Sequence, residues 1–152
     1  MRTLYELKGT LMVCCIQSHI NHNFFIDKDL HSIYIQLKYD RSSISDDEAK
    51  RLIQARITED SGSYSKDTIN NLMDSWERFR NIRNLITLSF DDSNGFRGAS
   101  HRGVEDLRIT ILPDFATEGY IKGVIPKGTL NVTLSTHALV KDCFYHLKIE
   151  TD

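Results

Sequence analysis

The hydrophobic period of this chain changes twice, and that pattern restricts its fold more than any single motif does. Residues 32–40 alternate, with Ile33, Ile35, Leu37 and Tyr39 on one side and Tyr34, Gln36 and Lys38 on the other. Period two of this kind marks a half-buried strand. From Ser45 the period becomes helical. Ser45-Asp46-Asp47-Glu48 is a capping box: the serine oxygen accepts the Glu48 amide hydrogen and the Glu48 carboxylate reaches back. Ala49, Leu52, Ile53 and Ile57 follow at helical spacing. Residues 60–64 break the stripe. A second helix beginning near Ser65 carries Ile69, Leu72, Met73, Trp76, Phe79 and Ile82 toward a core. Arg78, Arg80 and Arg83 crowd its end, where cations complement the helix macrodipole.

From residue 85 the period returns to two. Strands are expected at 85–90, at 106–112 with Leu107, Ile109 and Ile111 inward, and at 119–125. Two more follow: one with Leu130, Val132 and Leu134 inward, and one over 143–149 with Cys143, Tyr145, Leu147 and Ile149 inward. Ahead of residue 32, the apolar run 9–19 reads as one buried strand, with turn chemistry in Asn21, His22 and Asn23. Strands grouped on either side of a helical pair, rather than alternating with helices, favour an antiparallel sheet. The expected fold is therefore α+β: a mainly antiparallel β-sheet or two-layer β-sandwich of six to seven strands, with a two-helix excursion at about 45–83. Lys8-Gly9-Thr10-Leu11-Met12-Val13 and Lys127-Gly128-Thr129-Leu130-Asn131-Val132 echo each other over six positions and then diverge. Shared turn-and-strand grammar accounts for such a match as well as duplication does.

With 152 residues, of which 40% are hydrophobic, residues 1–152 are expected to form a single globular domain needing no metal or disulfide staple. Nineteen Lys plus Arg against 21 Asp plus Glu leave a net charge of −2. That balance provides no field for nucleic acid or an anionic membrane, so neither is an expected partner. No apolar run approaches the length of a membrane span. Cys14 and Cys15 are adjacent, hence on opposite sides of a strand, and Cys143 is remote. Reduced thiols and a cytoplasmic location are the expectation.

The chemistry-bearing candidates are few. Residues 91–103 (DDSNGFRGASHRG) read as a long glycine-rich connection between strands. Arg97, His101 and Arg102 within it have the composition of an anion-binding site, and His101 is the candidate catalytic acid or base. Its glycine spacing matches neither a P-loop nor a dinucleotide fingerprint. As a surface loop, it predicts that replacing Arg97 and Arg102 by alanine weakens anion binding while leaving stability almost unchanged. His19, His22 and His31 fall near one expected hairpin, but no C-x-x-C or H-E-x-x-H spacing accompanies them, so no metal or other cofactor is expected. No nucleophile elbow is present. No motif ties the chain to a family. The favoured reading is a non-catalytic protein-interaction module, such as an inhibitor, immunity-type or accessory protein, with a protein partner. The alternative is a small anion-binding or hydrolytic enzyme using the 91–103 loop.

Overall fold

The computed structural model describes residues 1–101 and 103–152. Eight strands are defined among them: β1 (Arg2–Leu11), β2 (His19–Ile26), β3 (Ile33–Tyr39), β4 (Leu85–Asp92), β5 (Gly95–Ser100), β6 (Asp106–Ile111), β7 (Gly128–Ala138) and β8 (Cys143–Thr151). They form two antiparallel four-stranded sheets, ordered β1-β8-β3-β6 and β2-β7-β4-β5. Pairing follows one rule. The first strand lies against the eighth, the second against the seventh, the third against the sixth and the fourth against the fifth. The chain is thus one long antiparallel ribbon folded at the β4–β5 turn. Rolling that ribbon adds the contacts β3·β8 and β4·β7 and closes two sheets. This is the double-sheet jelly roll.

The inward positions are those the alternation picks out. Ile33, Ile35, Leu37, Ile109, Ile111, Leu130, Val132, Leu134, Leu147 and Ile149 are essentially inaccessible and share one core with Ile86, Leu88 and Phe90. The expected strand at 9–19 is two strands joined across the end of the sandwich. β1 edges one sheet and β2 the other, so the chain crosses through a 3-10 turn at Val13–Cys15 and Gln17, whose φ is +57°. The Gln17 amide donates to the Thr136 carbonyl at 2.8 Å, fixing that crossing. The expected strand at 119–125 is instead a connection touching its neighbours through single bridges, Gly98 to Tyr120 and Leu30 to Ile125. Gly119 and Gly123, at φ +93° and +137°, break the extended conformation a ladder needs. The six-residue echo also separates: its first copy ends β1 at a sheet edge, and its second begins the interior strand β7.

The helical excursion leaves between β3 and β4. It comprises α1 (Asp46–Glu59), started by the Ser45–Glu48 capping box, and α2 (Lys66–Asp74), capped by Ser65. The second helix is shorter than its stripe implies, because Trp76–Phe79 continues it as a 3-10 turn. Ala49, Ile53 and Ile57 form a small core of their own, separate from that of the sandwich, against Ile69, Leu72, Met73 and Trp76. Asn84 closes the base. Fully buried, it donates through Nδ2 to the Asp40 carbonyl at 3.1 Å and accepts at Oδ1 from the Val140 and Lys141 amides at 2.8 and 3.3 Å.

Candidate functional site

The 91–103 segment is not a long loop. Asp91 and Asp92 end β4, Ser93 and Asn94 make a two-residue turn, and Gly95–Ser100 is β5. Asn94-Gly95 is the hairpin signal in this sequence, obscured by the other glycines around it. The Asp92 carboxylate accepts the Asn94 amide at 2.8 Å, and Gly95 takes φ +111°. A bulge follows, since Phe90 pairs with Gly98 but Asp91 with Phe96, and Arg97 is the extra residue.

That bulge turns Arg97 into the protein. Its side chain is 12% exposed, with Nε 3.2 Å from Asp92 Oδ2, which is wholly buried. The approach misses the N–H direction, so the contact is Coulombic rather than a linear hydrogen bond. The guanidinium also donates to the carbonyls of Gly123 at 3.0 Å and Val124 at 3.4 Å. Arg97 therefore ties the β6–β7 connection to the β4–β5 hairpin through Nε and Nη2. His101 is exposed beyond the end of β5, four residues along an extended strand or roughly 13 Å away. Arg102 lies outside the described residues. Arg97 and His101 are not brought together.

The other candidates disperse as well. His19 and His22 stand on opposite faces of β2: His19 is exposed, with Nδ1 2.9 Å from Ser135 Oγ, while His22 is buried. His22 Nδ1 lies 3.1 Å from the Tyr5 hydroxyl, its Nε2 has no partner among the described residues, and burial lowers its pKa. His31 is exposed beyond the far end of β2. Among the described residues, no group of three or more His, Cys, Asp or Glu is placed to hold a metal. The three cysteines are unpaired. Burial pushes the Cys143 thiol up to about 11, and its Sγ donates to the Asp40 carbonyl at 3.3 Å. A thiol held protonated in this way is a poor nucleophile.

A different feature is built where the excursion meets the sandwich. An apolar groove of about 650 Å³ opens there. One wall is α1 with Leu52, Ile53 and Ile57, joined by Leu72, Phe79 and Ile82; opposite stand Val13 and Ile16 from the β1–β2 crossing, over Ala138, Leu139 and Val140. Leu52 remains 52% exposed and Phe79 51%, and Met12 beside Val13 is exposed too. Among the described residues Arg56 is the one charged lining residue, and its guanidinium is engaged by Asp60 at 3.0 Å and Glu59 at 3.4 Å. Around the ends lie side chains of both signs, Glu48 and Arg51 at one and Glu59 and Asp60 at the other. Sequence reading carried the stripe of the second helix, Phe79 included, toward a core and put Leu52 in one apolar stripe with Ala49, Ile53 and Ile57. The missed signal is its width: Leu52 and Ile53 are adjacent, so one of them faces away from the small core that Ala49, Ile53 and Ile57 form.

Among the described residues no helix is long and apolar enough to cross a membrane. No protein-family model matches the sequence, and no curated protein matches it. A crystal structure of a Sulfurospirillum deleyianum protein is similar at 10% identity and a TM-score of 0.33, covering 97% of this chain and 98% of that one. A jelly roll hosts many unrelated activities, so function is argued from the groove itself.

Proposed function

We propose that this chain is a non-catalytic protein-interaction module, of the inhibitor, immunity-type or accessory kind, and that the groove beside α1 seats apolar side chains of a protein partner. The observation carrying this reading is an apolar groove whose walls leave Val13, Ile16, Leu52 and Phe79 exposed, bounded by polar groups of both signs. An apolar centre with a polar rim is the anatomy of a protein interface, and large exposed apolar patches on a folded protein mark such sites. The ion pairs of Arg56 leave no unpaired cation among the described lining residues for a fatty-acid carboxylate or a phosphate. Neutral apolar side chains fit what remains.

The test places a photo-crosslinking phenylalanine analogue at Leu52 in the native host, and in a second strain at Phe144. Phe144 is equally exposed but lies on the outer face of the other sheet. The expected result is one discrete protein crosslinked through position 52 and not through 144. The purified pair then binds in solution, and Phe79→Asp weakens it. Crosslinking to lipid, identical products from both positions, or binding indifferent to Phe79→Asp would overturn the proposal.

A further inference from the structure

Two open sheets end in four strand edges, here β1 and β6 in one sheet and β2 and β5 in the other. An uncovered edge presents a row of unpaired backbone donors and acceptors to any strand that can reach it. The β6–β7 connection covers two of the four. Along β5 the Ala99 amide donates to the Gly119 carbonyl at 3.2 Å, and the Arg97 carbonyl accepts from the Ile121 amide at 2.7 Å. Along β6 the Thr110 carbonyl accepts from the Thr117 amide at 2.9 Å, and the Thr110 amide donates to Thr117 Oγ1 at 2.9 Å. No described residue does the same for β1 or β2.

β1 is the longest of these edges, at ten residues. Its free backbone groups follow from the ladder. The Asp40 amide donates to the Phe144 carbonyl at 3.0 Å, so Phe144 and its alternates in β8 turn their backbone groups toward β3. Cys143, Tyr145 and Leu147 turn theirs toward β1, where they face Leu11, Gly9 and Leu7. The alternates in β1, Glu6, Lys8 and Thr10, therefore point their N–H and C=O groups out of the sheet. Their side chains are exposed on the outer face, while Leu7 is half-buried on the inner one against the core.

We infer that β1 pairs with β1 of a second copy of this chain, antiparallel about a two-fold axis at Leu7, and joins two four-stranded sheets into one of eight. Free groups must meet free groups, so the axis passes through a residue of β1 and not between two. An axis at Glu6 sets carboxylate against carboxylate, and one at Lys8 sets ammonium against ammonium. An axis at Tyr5 runs into the bulge between Thr3 and Tyr5, and one at Gly9 carries Glu6 past the end of the opposing strand. At Leu7 the axis sets Glu6 opposite Lys8 twice and covers the exposed side of Leu7 with its own copy. Residues so opposed lie about 5.5 Å apart at Cα, within reach of an ion pair. Both charges are available for it. Lys8 has no ion-pair partner among the described residues, and Glu6 engages His146 through Oε1 at 2.7 Å, which leaves Oε2. A lysine on an edge strand ordinarily discourages pairing, but a glutamate two residues away makes it select one register. The β2 edge has no Lys, Arg, Asp or Glu from His19 to Ile26, so nothing there sets a register. The contact shares no residue with the groove beside α1 and does not rest on the reading given to it.

Sedimentation equilibrium of the full chain up to submillimolar concentration tests this. A monomer–dimer equilibrium is expected. Lys8→Glu and Glu6→Lys should each weaken the dimer about tenfold or more, since each turns two attractive pairs into repulsive ones. Mixed with each other, the two variants should associate as a heterodimer, one strand acidic and the other basic at positions 6 and 8. The double variant Glu6→Lys/Lys8→Glu should dimerise like the parent, and it carries the test if a single variant fails to fold. Phe79→Asp should leave the dimer unchanged. The inference is overturned if the parent sediments as a monomer throughout, if the single variants associate as the parent does, or if the folded pair does not associate when mixed. A double variant that stays monomeric overturns it as well. So does loss of the dimer in Phe79→Asp, because the copies would then meet through the groove.

Discussion

Arg97→Ala separates a structural arginine from a ligand-binding one. Read as part of a surface loop, Arg97 was expected to be removable with little effect on stability. The structure reverses that expectation, because its side chain is mostly buried and faces the wholly buried Asp92 carboxylate at 3.2 Å. Truncating it strands a carboxylate out of water and frees the carbonyls of Gly123 and Val124. Removing one member of a buried pair costs about 3–5 kcal/mol, most of it the penalty on the partner left behind. For a chain of this length that corresponds to a melting temperature lower by roughly 6–20 °C. Urea denaturation followed by tryptophan fluorescence and far-ultraviolet dichroism should show an earlier midpoint with unchanged slope. Arg97→Met should behave like the alanine variant. Adding Asp92→Asn to it removes the orphaned charge while keeping the oxygen that accepts from Asn94, so at least half the loss should return. A loss below about 1 kcal/mol for Arg97→Ala would refute the reasoning. So would a double variant no better than the single one, since the carboxylate would then not be the source of the cost.

Three further outcomes follow from particular contacts. Asn84→Ala should cost on the order of 3 kcal/mol, since it leaves the Asp40 carbonyl and the Val140 and Lys141 amides without their buried partner; a denaturation midpoint near that of the parent would contradict this. The lowered pKa of His22 means the unfolded chain takes up its proton first on acidification. Its stabilising contribution is present above about pH 6.5 and lost as pH falls through the folded-state value, so the stability of His22→Phe should fall less between pH 8 and pH 5. Leu52→Asp with Phe79→Asp should leave folding nearly intact, because both side chains are half-exposed, while removing about 1.5–3 kcal/mol of apolar burial from partner binding, roughly 10- to 150-fold in affinity by calorimetry.

How much was legible in the sequence depends on where each side chain finds its partners. Strands β3, β6, β7 and β8 alternate cleanly because each has one face on the core and one in water, and period two records that directly. The capping box at Ser45 was legible for a similar reason, since all its atoms lie within four residues. The β1–β2 boundary was not. Val13 and Ile16 are apolar because they line the groove against α1, a contact about forty residues away, so the run looked like one strand. β5 was hidden by Gly95, Gly98 and Ser100, which suggest mobility. Gly98 is in fact required by the strand's packing: its φ is +144°, and a Cβ there would meet Tyr120 Cα at 2.6 Å, where the 119–121 segment lies against the strand. Arg97 failed the same way: its counter-charge, Asp92, is five residues off, but the burial that makes the pair matter comes from residues 123–124. The nested ribbon could not be read from local pattern at all, because pairing the first strand with the eighth is a statement about both ends of the chain.

That ribbon also explains why the groove sits where it does. Every strand has an assigned partner, so an insertion is tolerated only where it leaves the ladders undisturbed. Between Tyr39 and Leu85 the chain leaves one sheet for the other and must cross the end of the sandwich in any case. The Ser43–Arg83 bridge and the Asn84 side chain bring the ends of the excursion together, and closing a longer loop costs only slightly more entropy than closing a short one. An excursion serving merely to plug the sandwich end would turn its apolar stripe inward and seal it. This one buries Ala49, Ile53 and Ile57 in a small core, yet leaves Leu52 and Phe79 half-exposed across from Val13 and Ile16. Polar residues are acceptable on the neighbouring turns of α1, as Arg51, Gln54 and Arg56 show. Leucine at 52 adds little to the fold that a polar residue would not, and it raises the risk of non-specific association. The proposed function accounts for its presence, as part of a surface that a protein partner would cover.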